Sequence, residues 1–350
     1  MSRILPVVVL FALSSASALA QDPHPTFTVG TATASRGQKA FGAIKVPAGS
    51  DAGYDIPVAV VHGAKPGPVL AVVAGSHGSE YASIIAVEDL IGSVNPATVS
   101  GTLILVPIVN IPSFEKITPH VNPTDNKSMN RYYPGDPKGT QTDRASYAMT
   151  KQVVEKCDHL IDLHGGDLDE NLRPYSYWTV TGNQKQDDFS KAMVLAFGLD
   201  HIIISADRPR DPKASRYLEN TASTLGKPSF TAEAGRSGPV EPGDAKVLAD
   251  GVMRVMAHLK MTAQHAAPVA NPVWVEKVVS IAAEHDGVFR PIVNRDAHVE
   301  KGAKIGAITD YLDRPVQEIV APDSGIILFV RAVPSLKKGD TLANVGVIKK

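Results

Sequence analysis

A single cysteine, Cys157, is present in 350 residues. One thiol cannot close an internal disulfide, so a covalently stapled fold is excluded and stability has to come from an ordinary core. The thiol lies in KQVVEKCDHLIDL, where a helical pattern runs into an apolar one, and it reads as buried packing rather than as a nucleophile. Basic runs are missing too. Lys and Arg number 35 against 36 Asp and Glu, a formal net charge of −1, which excludes the strongly basic face of a nucleic-acid binder. Beyond the first twenty residues no segment is long and apolar enough to span a membrane.

What is present suits a soluble globular chain. Apolar residues make up 43% and charged ones 20%, enough for a sizeable core, and the length corresponds to about two domains. The first twenty residues, MSRILPVVVLFALSSASALA, are of another kind. Arg3, an apolar stretch over 4–13 and the small-residue end Ala18-Leu19-Ala20 form the pattern of a secretory signal. The expectation is a signal peptide over 1–20, cleavage after Ala20, and a mature chain in the periplasm or outside the cell.

Between 21 and 265 apolar runs alternate with amphipathic stretches. Strands are predicted near 40–46 and 56–61, then at 68–74, 101–109, 159–163, 201–205 and 228–234. Helices are predicted at 80–92, 143–157, 187–198 and 243–262. Continuous apolar strands alternating with helices indicate an α/β domain around a buried, largely parallel sheet. An Ala/Pro-rich stretch, TAQHAAPVANP (262–272), then changes the texture. Residues 272–350 show short apolar runs broken by turn signals and read as a small all-β module. Within it AHVEKGAKIGAI (297–308) and PSLKKGDTLANV (334–345) echo each other, suggesting two similar halves in a barrel-like sandwich.

Several strand ends carry reactive side chains. GSHGSEY (75–81) offers His77 and Glu80, HLIDLHGGD offers Asp162 and His164, and FTAEAGRSG offers Glu233. Two histidines and a carboxylate are the usual protein ligands of a catalytic zinc, with a fourth position open. His77 and Glu80 come from one loop-to-helix turn, and His164 from another strand end. Asp162 is placed to orient a ligating histidine. Glu233 is a spare carboxylate suited to moving a proton. In SMNRYYPGD, Arg131 has the donor fork to hold a substrate carboxylate, with Asn130 beside it. Any one of these alone is commonplace; their coincidence at the strand ends of one domain makes a site.

GSHGSE, SMNRYYPG, DLHGGD and EAG stand in the order found in the succinylglutamate desuccinylase/aspartoacylase family, and the chain resembles that family over about 40–350. The resemblance implies a three-layer α/β/α zinc carboxypeptidase-like core with a mostly parallel or mixed sheet, followed by a small barrel-sandwich-like β module. It implies Zn2+ on His77, Glu80 and His164, Glu233 as general base and then proton donor, and Asn130 and Arg131 on a substrate carboxylate. The implied activity is hydrolysis of an amide bond in a small carboxylate-bearing molecule or short peptide, as a deacylase or a carboxypeptidase.

One departure stands out. Relatives of the aspartoacylase kind carry a further arginine, which polarises the scissile carbonyl, about ten residues before the Asn-Arg pair, but EKITPHVNPTDNKSMNR contains none ahead of Arg131. His120, Lys116, Arg173 or another group then does that work, or the metal carries it. DRPVQEIVAPDSGIILFV (313–330) resembles the hammerhead of biotinyl and lipoyl carrier domains, yet the preceding hairpin, ITDYLDRP, has no lysine to modify. The module therefore reads as a structural or gating element. Two other functions remain open: a metal- or ligand-binding protein on a disused hydrolase fold, and an exported adaptor. The sequence sets no oligomeric state.

Overall fold

The computed structural model describes residues 25–349, and the expected signal peptide and its cleavage point lie outside them. An N-terminal hairpin of β1 (Thr26–Val29) and β2 (Ala32–Ser35) precedes β3 (Gln38–Val46), β4 (Tyr54–His62) and β5 (Lys65–Val73). There follow α1 (Tyr81–Ser93), β6 (Ser100–Val106), α2 (Ile111–Glu115), α3 (Gln141–Met149), β7 (His159–His164), β8 (Glu170–Leu172) and β9 (Tyr175–Thr179). Next come α4 (Gln184–Phe197), β10 (His201–Ser205), α5 (Leu218–Thr224), β11 (Ser229–Glu233) and α6 (Pro242–His258).

The central strands are buried along almost their whole length because helices cover both faces. Leu70, Val72, Leu105, Ile161 and Leu163 point to one side and pack with α1, α4 and α6. Ala71, Val73, Ile104, Val106 and Leu160 point to the other and pack with α3 and α5. Each fully buried Leu, Ile or Val contributes about 1.5–3 kcal/mol, so the two layers together fix the register of the sheet. The strand order β10-β9-β11-β7-β5-β6-β4-β3 makes a mixed sheet. Pairs β11/β7, β7/β5 and β5/β6 are parallel, while β9/β11, β6/β4 and β4/β3 are antiparallel. The sheet is thus parallel at its centre and less parallel overall than the alternation of runs suggests.

The helix over 143–157 proves to be two pieces. α3 begins at Gln141, because Asp143 accepts from the backbone N–H of Thr140 (2.9 Å). After Met149 the backbone widens into a π-helical turn, Thr150–Val154, where the Thr150 hydroxyl donates to Pro134 O (2.9 Å). α6 stops at His258, short of 262, and Lys260 lies in the left-handed region (φ 60°). Cys157 is buried and its thiol is pushed up to about 12 by burial, as inert packing requires.

The C-terminal strands are β12 (Val273–Ala282), β13 (Gly287–Pro291), β14 (His298–Val299), β15 (Lys304–Thr309), β16 (Pro315–Val320), β17 (Gly325–Arg331), β18 (Ser335–Leu336) and β19 (Thr341–Ile348). Among the described residues from 273 onward there is no helix. β12 lies parallel to β10, and β19, β17 and β14 continue from it, so the large sheet extends to thirteen strands with β8 paired to β17. A second sheet has the order β16-β15-β13-β18. The two echoing stretches both fold as a short strand, a turn and a longer strand. The first gives β14 and β15, the second β18 and β19, and each repeat sends one strand to either sheet.

Candidate metal centre

β5 pairs with β6 on one side and β7 on the other, both parallel to it. The chain therefore changes direction across the sheet at the carboxyl end of β5, the place where open α/β sheets leave a crevice. GSHGSEY occupies that place. Gly75 has φ 68°, a left-handed conformation that turns the chain out of the strand. At Gly78 a Cβ would lie 2.3 Å from the backbone nitrogen of Phe114, so only glycine lets this loop lie against α2. Glu80 is the N-cap of α1, but its side chain caps nothing and turns into the crevice.

There it meets both histidines. Glu80 Oε1 is 2.6 Å from His77 Nδ1, and Oε2 is 2.8 Å from His164 Nδ1. Gly165 N–H also donates to Oε2 (3.2 Å). The ligand atoms of His77, Glu80 and His164 all lie within 4.8 Å of one another. Glu80 and His164 are buried, and His77 faces the cavity more openly. The far nitrogens are engaged as well. His77 Nε2 lies 3.2 Å from Ser128 Oγ, and His164 Nε2 lies 3.3 Å from Asp162 Oδ2 and 3.1 Å from Asn130 Nδ2. Asp162 is fully buried without a well-aligned hydrogen bond on either oxygen, so it offers its charge to the back of the His164 ring.

The donor set suits zinc. It has two imidazoles and one carboxylate on a common point, the imidazoles held from behind, and a side open to a cavity of about 910 Å³. The electrostatics agree with a place for a cation. Burial opposes the charge on Glu80, but the adjoining His164 and His77 hold its carboxyl below the usual range. Burial likewise opposes the charge on His164, and Asp162 and Glu80 nonetheless raise it well above an ordinary histidine.

Glu233, the last residue of β11, sits in register beside His164, the last of β7, and lines the same cavity. Tyr175 donates to its Oε2 (3.0 Å). Burial pushes Glu233 up to about 7, with His164 opposing the rise and Glu80 and Glu170 adding to it. A carboxyl poised near neutrality both takes and returns a proton. Asn130 and Arg131 line the cavity too. Both ends of the Asn130 amide are engaged, since Oδ1 accepts from Leu218 N–H (3.1 Å) and Nδ2 faces His164. Arg131 is exposed, its Cζ 4.9 Å from the centre of the Tyr217 ring, with donors left for a ligand.

The candidates for the missing arginine separate cleanly. Lys116 is exposed and off the cavity, and Arg173 pairs with Asp200 (3.0 Å) and Asp296 (3.1 Å) away from it. His120 lines the cavity, its ring centre 6.5 Å from that of His77. Burial pulls His120 down, but its hydrogen bond to Asp169 and the charges of Asp167 and Glu170 push it up to about 9. Among further candidates for substrate contact, Tyr175 is in the cavity. Arg144 is buried against Asp51 and backbone carbonyls, and Arg236 pairs with Glu241.

Sequence reasoning missed other residues of the wall. Tyr177 is one; YSYW places it two residues from Tyr175 on the same face of a strand, a signal that was there to use. Arg208 follows β10, another strand end; it lies over Tyr217 (4.0 Å) and near the buried Glu219 (3.2 Å). Glu170, pushed up to about 7 by burial, and Lys277 of β12 also line the cavity, and nothing in their local sequence marks them.

Residues 66–259 match the family model described as the succinylglutamate desuccinylase/aspartoacylase catalytic domain. The chain is 25% identical over 317 residues to an N-alpha-acetyl-L-2,4-diaminobutyric acid deacetylase of Halomonas elongata, covering 88% of this chain and 91% of that one. Its fold is similar to the crystal structure of a succinylglutamate desuccinylase from Silicibacter sp. TM1040, with TM-score 0.80, 21% identity, and 94% of this chain and 100% of that one covered. It is also similar to the product-bound ectoine utilization protein EutE (DoeB) of Ruegeria pomeroyi, with TM-score 0.77, 22% identity and coverage of 89% and 95%.

Proposed function

This chain belongs to the succinylglutamate desuccinylase/aspartoacylase family, and from that premise we propose that it is a zinc-dependent hydrolase of the amide bond in a small N-acyl amino acid. The observation that carries the reading is the convergence of His77, Glu80 and His164 at adjoining strand ends, with Glu233 one strand away. A pure binding site has no use for that second carboxylate. The deacetylase named among the relatives favours removal of an acyl group over carboxypeptidase cleavage.

His77, Glu80 and His164 would hold the ion. Zinc there supplies Lewis acidity, making water a nucleophile near neutral pH and drawing charge from an amide carbonyl. Glu233 takes the proton of the attacking water at a carboxylate oxygen. It then delivers a proton to the departing nitrogen, which leaves as an amine. Tyr175 fixes the orientation of that carboxylate. Arg131, with Asn130 beside it, takes the substrate carboxylate and sets the scissile amide against Glu233.

We read the core, 21–265, as a three-layer zinc carboxypeptidase-like domain and 272–350 as a barrel-sandwich-like module beside it. The N-terminal pattern supports export to the periplasm or beyond, with mature protein starting at Gln21. Fractionation and N-terminal sequencing of the expressed protein test this; an uncleaved cytosolic chain would remove it. The activity is tested by elemental analysis of the purified protein and a mass-spectrometric screen of N-acyl amino acids and short peptides. Stoichiometric zinc with chelator-sensitive release of a free amino acid is expected. A zinc-free protein, or a zinc-loaded one inert on the whole panel, would overturn the reading.

A further inference from the structure

Attack on an amide carbonyl puts negative charge on its oxygen, and preorganised donors aimed at that oxygen lower the barrier. On the His164 side of the ligand group stands Glu233, a proton carrier. On the His77 side stands His120. The loop that leads from α2 to Asn130 supplies no arginine, and its exposed lysine, Lys116, is off the cavity.

His120 is held from three directions. Its backbone is left-handed (φ 62°), and its N–H donates to Asp167 Oδ2 (2.8 Å). Its Nε2 is 2.8 Å from Asp169 Oδ1. Its Nδ1 has Asp167 Oδ2 at 3.4 Å, with no hydrogen bond formed. Two carboxylates about one imidazole favour its charged form, in which both nitrogens carry protons. One N–H is then given to Asp169, and the other, 3.4 Å from Asp167 Oδ2, makes no hydrogen bond within the protein.

Asp169 is in turn held by the C-terminal strands. Its Oδ2 pairs with Arg331 Nη1 (3.0 Å), and Arg331 Nη2 pairs with Asp340 Oδ2 (3.1 Å). Arg331 ends β17, which is also the strand that pairs with β8 beside Asp169. An unbroken chain of charges thus runs from the β module to the cavity.

We propose that the Nδ1–H of His120 binds the oxygen of the amide under attack, and that Asp169, anchored by Arg331 and Asp340 of the β module, holds the ring for it. The assignment rests on the amide-hydrolase reading. It makes the β module part of the reaction apparatus rather than a cover. Arg331 acts through Asp169 and is a positioning residue.

Asparagine and glutamine separate the two ring nitrogens. The amide N–H of His120→Asn falls near Nδ1, and that of His120→Gln near Nε2. Asparagine also tolerates a left-handed backbone. The assay uses an N-acetyl amino acid that the unsubstituted chain turns over. His120→Asn is expected to keep kcat within about tenfold, whereas His120→Gln loses about 10²–10³-fold, the usual cost of an oxyanion donor. KM in both moves less than about threefold, since the contact is made in the transition state. Arg331→Met is expected to lower kcat by about tenfold with the same unchanged KM. Zinc content and melting temperature are measured on each variant, so that a folding defect is seen directly. Equal kcat in the Asn and Gln variants, or losses confined to KM, overturn the assignment. If the unsubstituted chain hydrolyses nothing, the hydrolase reading fails and this one with it.

Discussion

On one wall of the cavity His164 and Glu233 are the last residues of parallel strands, paired in register, and His77 and Glu80 follow directly from the strand beside them. Their positions are set by backbone hydrogen bonds and by two hydrophobic layers. On the other wall His120 and Arg208 come from loops and Arg131 from a single 3-10 turn, and β12, β17 and β19 contribute from the C-terminal strands. Those side chains are set by ion pairs and ring contacts, such as Asp169 with His120 and Tyr217 under Arg208. The first wall is set by the sheet and carries the candidate ligands and the spare carboxylate. The second is set by side-chain contacts, and it is where this chain differs from the pattern it resembles.

The largest effects belong to the strand-end wall. His77→Ala and His164→Ala are each expected to lose zinc and with it all measurable turnover, because among the described residues three side chains form the ligand group and each variant leaves two. Elemental analysis decides this; full zinc in both variants would break the ligand assignment. Glu233→Ala is expected to keep its zinc and lose about 10²–10⁴-fold in kcat, the range typical of a removed acid–base group. Near-normal turnover in that variant would move proton transfer elsewhere in the cavity.

The same contrast decides what was readable in the sequence. Strand ends announce themselves: an apolar run stops, a glycine follows, and a histidine or carboxylate appears. His77, Glu80, His164 and Glu233 were all found that way, and so were all but one of the core strands. β9 and α5 were missed because YSYW and LENTAST lack the length that makes a period visible. Arg208 and Glu170 were missed for a different reason. Arg208 is placed by ring and charge contacts across an irregular loop, to Tyr217 and Glu219, and Glu170 by the pairing of β8 with the distant β17, and no local pattern encodes either. The antiparallel pairing of β9 with β11 is also a tertiary outcome, fixed by where the short strand finds a free edge. The extension of the large sheet by β12 is similar: its run reads as a strand, but nothing in it says which sheet it joins.

Glu170 sharpens the comparison, since it stands beside the loop-built wall yet feels the charge of Glu80 on the strand-end one. Burial pushes it up to about 7 from an ordinary 4.5. Between those values the folded chain holds a proton that the unfolded chain has released. The stability this gives is fully present below about 4.5 and is lost as pH rises through about 7. Glu170→Gln keeps an acceptor for Asp167 N–H and has no charge to bury. Its gain in unfolding free energy over the parent should be larger at pH 8 than at pH 5, by on the order of 1–2 kcal/mol given the solvent in the cavity. Urea unfolding of both chains in the same metal state measures it. An equal difference at the two pH values would mean that the carboxyl is already ionised in the folded chain.

The smallest effect expected is at Tyr175, where the two walls meet. Its ring is buried at 5% exposure, edge-on to Tyr177 with centres 5.5 Å apart, and its hydroxyl donates to Glu233. Tyr175→Phe keeps the ring and its packing and removes only that donor. The hydrogen bond favours the charged carboxylate, so without it Glu233 is held higher still and fewer molecules carry the base at neutral pH. Turnover at pH 7 should fall by roughly tenfold, the low end of what one hydrogen bond to a charged group is worth. The acid limb of kcat/KM should move to higher pH, and activity should approach that of the parent at pH 9. A uniform loss across the whole pH range would instead mean that the hydroxyl places the carboxylate without tuning it. An unchanged profile would mean that β11 alone, through its backbone pairing with β7, is enough to aim Glu233 at the substrate.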